Sequence, residues 1–128
     1  MGIRITAGKK LRVKIGSFTC PAGTGNYSVT GVGFKPRYVD FIVTKTTGSG
    51  LYSGTGWIDY NGAQRGMFID MGGTPGIICY TPNFPIGALD IGVTWYLGAN
   101  YVSMDADGFT VTFSYVDTTY TIHWKAVG

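Results

Sequence analysis

Glutamate does not occur in this chain, leucine occurs four times and histidine once. Helices draw on Ala, Leu, Glu, Lys and Gln, whose straight side chains lose little rotamer freedom there. Their scarcity excludes a helical or α/β architecture. The missing glutamates and the single His123 also remove the usual general acid–base groups, so no enzymatic activity is expected. The two cysteines, Cys20 and Cys79, form no C-x-x-C pair and have no histidine cluster beside them, so no metal or other cofactor is expected. One disulfide between them stays open by count, with no secretory context to favour it. No stretch reaches the ~18 consecutive apolar residues of a membrane span. Nor is there the charged start and apolar run of a signal peptide. A soluble protein made in the cytoplasm, with reduced thiols, is the expectation.

What is present points one way. Val and Ile together number 21 against four Leu, beside 16 Thr, nine Tyr, seven Phe, three Trp and 21 Gly. Branched and aromatic side chains suit a pleated, half-buried surface, and glycine supplies the turns. An all-β fold is predicted, as one domain at 128 residues. Hydrophobic residues make up 45% and charged ones 13%, a mix that predicts a subunit interface as well as a core. A homo-oligomer is therefore expected.

Charge is unevenly placed. Arg4, Lys9, Lys10, Arg12, Lys14, Lys35 and Arg37 precede any acid, and all seven aspartates follow from Asp40 onward. The ordinary reading of such a run is a solvated face. The sharper one is docking on an acidic surface through Arg4, Lys9, Lys10, Arg12 and Lys14. Residues 1–10 are then a basic arm and 11–128 the folded domain. Nucleic acid is not the expected partner, because residues 1–39 offer no interleaved aromatic and basic platform.

Alternation begins at Leu11, Val13 and Ile15, with Arg12 and Lys14 on the other face, and predicts a half-buried strand with a basic outer surface. Further strands are predicted at 27–32, 38–46, 57–60, 66–71, 77–80, 91–97 and 101–104. Residues 47–56, with four glycines, read as a loop, and 98–100 as a break. In the strand after Tyr38, Val39, Phe41 and Val43 share one face, and Asp40, Ile42 and Thr44 the other. The C-terminal region reads as a hairpin. Phe109, Val111, Phe113 and Tyr115 alternate with Thr110, Thr112 and Ser114, and Tyr120, Ile122, Trp124 and Ala126 with Thr121, His123 and Lys125. Phe109, Val111, Phe113, Ile122 and Trp124 are expected to point inward, and Thr110, Thr112, Thr121 and His123 outward. Eight or nine short strands with glycine and proline loops predict a single antiparallel β-sandwich, jelly-roll-like.

Three stretches carry a resemblance: Ile15-Gly-Ser-Phe-Thr-Cys-Pro21, Val29-Thr-Gly-Val-Gly-Phe-Lys-Pro36, and Asp105-Ala-Asp-Gly-Phe-Thr-Val111 with the closing Tyr120–Gly128. Together they resemble the small all-β modules of tailed-bacteriophage virions, with a G-F-x-P step after the second strand and a D-x-D-G-F-x-V entry to the final hairpin. The likeness covers roughly residues 15–44 and 103–128 and leaves the middle unmatched. It implies a virion protein with a structural or host-recognition role. The expectation is a capsid-decorating, cementing subunit, trimeric, bound to the major capsid protein or to tail components. The alternative is a tail or fibre module that recognises host carbohydrate.

Read as residues, the matched stretches are structural. Gly31 and Gly33 supply unusual backbone angles, Phe34 plugs the sandwich end, and Asp105 and Asp107 close a turn with Gly108 left-handed. A calcium reading of Asp105 and Asp107 lacks the third ligand and the later Glu of an EF-hand loop. The aromatics Tyr52, Trp57, Tyr60, Trp95 and Tyr96 lie in or beside glycine-rich segments. They are expected at an interface, where Tyr and Trp are enriched, with a sugar platform as the alternative.

Overall fold

Among the described residues, ten antiparallel strands in two facing sheets take up the branched and aromatic residues, close to the eight or nine strands expected. The computed structural model describes residues 11–45, 52–70, 77–81, 83–90 and 94–128; the predicted arm at 1–10, with Arg4, Lys9 and Lys10, lies outside them. The strands are β1 (Val13–Thr19), β2 (Gly25–Val29), β3 (Tyr38–Lys45), β4 (Tyr52–Asp59), β5 (Gln64–Asp70), β6 (Ile77–Thr81), β7 (Ile86–Asp90), β8 (Thr94–Asp105), β9 (Gly108–Tyr115) and β10 (Tyr120–Val127). Among the described residues no helix is long and apolar enough to cross a membrane.

One sheet has six strands in the order β1-β10-β3-β4-β5-β6, the other four in the order β2-β9-β8-β7. β1 pairs with β10 in the larger sheet and β2 with β9 in the smaller. From β3 to β6 the path is a meander within one sheet, and β7 to β9 is a second meander in the other. The fold is thus an antiparallel β-sandwich.

Several local expectations are corrected. The segment after Tyr115 is a corner, not a hairpin turn: β9 and β10 belong to different sheets. Asp107-to-Ala126 periodicity could not reveal this, because inward alternation is the same for strands side by side and strands face to face. Phe109 and Trp124 therefore meet across the sandwich, edge to face at 5.7 Å between ring centroids. Residues 52–56 are strand rather than loop, β7 was not foreseen, and residues 98–100 lie within β8, whose register shifts between Gly98 and Ala99.

The core fills from both inner faces. Val39, Phe41, Val43, Tyr120, Ile122 and Ala126 of the larger sheet oppose Leu97, Ala99, Phe109, Val111 and Phe113 of the smaller, all of them buried. At β4 and β5 the larger sheet turns glycines inward instead. A methyl group on Gly56 would overlap the carbonyl oxygen of Pro85, and one on Gly66 that of Phe84. Backbone lies directly on backbone there, drawing the start of β7 against the sheet. Gln64 ties the same layers together: its Oε1 accepts from the Tyr101 N–H at 2.9 Å, and its Nε2 donates to the Asn83 carbonyl at 3.2 Å.

The two matched motifs form one unit at the sandwich end. Gly31 and Gly33 have φ of 79° and 89°, and their N–H groups donate to Asp107 Oδ2 and Oδ1 at 2.9 and 2.7 Å. The Val32 N–H donates to the Asp107 carbonyl at 3.0 Å. Gly108 is not left-handed as expected; it is glycine because a Cβ would overlap the Val29 carbonyl oxygen. Phe34 is buried against Gly128, as a plug should be.

Candidate functional site

The predicted basic outer surface of β1 is reversed. β1 pairs with β10 so that Phe18 lies opposite Ile122, Gly16 opposite Trp124 and Lys14 opposite Ala126. Paired residues share a face, so Phe18, Gly16 and Lys14 belong to the inner side. Val13, Ile15 and Ser17 belong to the outer side. The aromatics decide this register. Phe18 stacks on Tyr27 at 4.5 Å and meets Phe113 edge-on at 6.4 Å. The Trp124 ring lies under Gly16, where a methyl carbon would stand 2.7 Å from its Cε2. A two-residue period then forces Val13 and Ile15 outward. Arg12 and Lys14, on the inner side, are exposed as well, so residues 11–15 are exposed on both sides.

Of the five aromatics singled out in the sequence, the four whose side chains are described do not converge. Trp57 lies on the outer face of the larger sheet, stacked beside Tyr38 at 6.0 Å and 24° between planes. Tyr60 sits in the β4–β5 turn with the Arg37 guanidinium 5.1 Å from its ring centroid. Trp95 turns the other way and packs among Phe68, Phe84 and Tyr115 at 5.6, 4.6 and 6.5 Å. Tyr96 packs partly buried against the core. Tyr52 opens β4, and its side chain lies outside the described residues.

The outer face of the larger sheet is the feature that sequence periodicity missed. Register aligns Val13, Val127 and Tyr38 in one row, Ile15, Lys125, Asp40, Trp57 and Arg65 in the next, and Ser17, His123, Ile42, Thr55 and Met67 in a third. Ile15 is 72% exposed, Val13 51%, Ile42 50% and Met67 44%. Scattered single exposures are ordinary; four large apolar side chains exposed on one face, set among charged and polar ones, are less so. A shallow cleft of about 410 Å³ opens among Tyr38, Ile42, Thr55, Trp57, Arg65 and Met67. The one signal in the sequence was Ile42, an aliphatic residue between Asp40 and Thr44 on the face assigned to solvent.

The polar chemistry of this face is modest. Lys125 Nζ lies 3.2 Å from Asp40 Oδ2, both partly exposed. Exposed pairs of this kind contribute about 0–1 kcal/mol. Burial, with Asp40 nearby as a lesser cause, pushes the Tyr38 hydroxyl above its ordinary pKa. His123 is exposed, as expected, with Nε2 3.0 Å from Thr44 Oγ1. At the sandwich end the carboxylates of the Asp-x-Asp-Gly turn face separate partners. Asp107 takes the two glycine N–H groups, which lower its pKa. Asp105 accepts from Ser103 Oγ at 2.7 Å and Thr110 Oγ1 at 2.6 Å. Thr110, expected outward in solvent, is buried under this network, with Ser28 Oγ 2.8 Å away. Cys20 is a buried free thiol whose pKa burial raises. The surface offers contact area and two signs of charge rather than a convergent reactive cluster.

Comparison of the chain with protein-family models, with curated proteins and with solved structures found no match.

Proposed function

We propose that this chain is a non-enzymatic structural subunit of a phage particle, a capsid-decorating protein that docks through the overhanging start of β1. The observation that carries the reading is the double exposure of residues 11–15, with Arg12 and Lys14 on one side and Leu11, Val13 and Ile15 on the other. β1 is an edge strand paired to β10 alone, and its start, exposed on both faces, is open to a docking partner. Its basic side suits an acidic shell, and attraction of that kind steers encounter and weakens with salt. Arg4, Lys9 and Lys10 extend the same charge along the sequence. The resemblance of residues 15–44 and 103–128 to virion modules supplies the particle. The packing of Gly31, Gly33 and Asp107 into one closing unit accounts for those motifs as architecture. A cementing protein works by mass action, stabilising the assembled shell because it binds only that state.

Electron microscopy of intact particles, with this chain located by a specific label, tests the proposal. Density on the shell lattice is expected, and its loss when Arg12 and Lys14 are both changed to Glu. A particle without the chain refutes the reading. A tail-tip position instead favours host recognition, for which the Tyr38–Trp57 pair beside Asp40 and Arg65 is an aromatic platform on the larger sheet's outer face.

A further inference from the structure

The apolar outer face of the six-stranded sheet calls for an occupant, and we propose that it is a second copy of this chain, packed face to face about a two-fold axis. The same face carries both halves of the contact. Ile15 projects from β1 at one side, and the cleft of about 410 Å³ spans β3, β4 and β5 toward the other, with β10 between. A two-fold axis in the plane of contact and parallel to β3 sends the β1 of each copy across to β5 of its partner. It leaves the level along the strand unchanged. Ile15 shares its row with Trp57 and Arg65, so it arrives over the cleft those residues line. Two such insertions form at once.

Charge and area agree with this partner. The rows hold Asp40 and Asp59 against Lys125 and Arg65, so the face carries no net charge to attract a nucleic acid or a strongly acidic protein. Five strands at ~4.8 Å spacing and seven residues at ~3.3 Å rise give a face of about 24 by 23 Å. That is about 550 Å² on each copy, or about 1,100 Å² in total, at the low end of specific interfaces. Pairing edge to edge through β1 is disfavoured because Arg12 and Lys14 turn inward on that strand, a device that blocks strand addition. A closed trimer needs two different complementary patches, whereas one self-complementary face closes as a dimer. The inference therefore favours a two-fold pair over the expected trimer. It stands apart from the shell-docking proposal, which uses the opposite side of β1.

Sedimentation equilibrium of the full chain should give twice the 13.7 kDa monomer mass. Ile15→Asp and Ile42→Asp should each weaken association at least ~100-fold, the loss expected when an unpaired charge is buried in an interface. Both sites are surface-exposed, so circular dichroism should stay unchanged. Ser114→Asp, exposed on the other sheet, should leave the dimer intact. A monomer at every concentration up to ~100 µM, a trimer mass, or a dimer indifferent to Ile15→Asp and Ile42→Asp overturns the proposal. Because Arg12→Glu and Lys14→Glu are read on particle attachment, failure of the dimer and failure of shell docking are told apart.

Discussion

Replacing Gly56 by alanine tests the closest approach of the two sheets. The new methyl carbon would stand 2.5 Å from the Pro85 carbonyl carbon and 2.8 Å from the Arg65 carbonyl oxygen, and would overlap the Pro85 oxygen outright. Real Cβ contacts essentially never fall below 3.0 Å, and every atom met here is backbone, so no side chain can swing aside. The start of β7 must lift off β4, which opens the layer that Ile86 and Phe68 close. Overpacking of this kind costs roughly 1–3 kcal/mol, occasionally more, and the absence of a yielding side chain places Gly56→Ala toward the upper end. For a domain of this size a loss of about 3 kcal/mol lowers the melting temperature by roughly 10–20 °C. The control is Gly23→Ala. Nothing lies within 4 Å of its Cβ position and its φ is not positive. Alanine there should be neutral or stabilise by about 0.4–1 kcal/mol, by restricting the unfolded chain. Urea denaturation and thermal melting by circular dichroism read both variants. If Gly56→Ala melts with the wild type, the sheets do not approach through that gap, and the inward glycines need another cause.

Truncating Trp124, which packs over Gly16 and against Phe109, should cost roughly 3–5 kcal/mol out of a typical total of about 5–15 kcal/mol. His123→Ala, one residue away but exposed, should leave the melting curve in place. A hydrolytic or sugar-binding activity lost with His123→Ala at unchanged stability would instead reveal a site on the outer face. Asp107 makes the stability pH-dependent in a definite direction. Its folded pKa lies below the ordinary 3.8 because the Gly33 and Gly31 N–H groups stabilise the carboxylate. Its contribution is therefore complete above 3.8 and is lost as pH falls through the lower folded value. Wild type and Asp107→Ala should differ in melting temperature at neutral pH and converge in acid. A gap that persists or widens below that window would show that the charge of Asp107 is not what holds the turn.

Composition alone pointed to a β-structured chain, because branched and aromatic residues dominate while glutamate is absent and leucine occurs only four times. Period-two alternation identified the inward sets Val39-Phe41-Val43, Phe109-Val111-Phe113 and Ile122-Trp124, since one buried face leaves a strong local imprint. It also marked His123 as outward. Alternation is blind to what lies opposite. It could not show that β9 and β10 belong to different sheets. At β1 it chose the wrong face, because two aliphatic residues looked like the buried side. In the folded protein Phe18 and the Trp124 ring under Gly16 take the interior and turn Val13 and Ile15 out. Nor could sequence order reveal that Trp57 and Trp95 face opposite ways, or that glycines in β4 and β5 receive the backbone of β7. Those facts depend on contacts between residues far apart in the chain, so the apolar outer face exists only once the strands have chosen their neighbours.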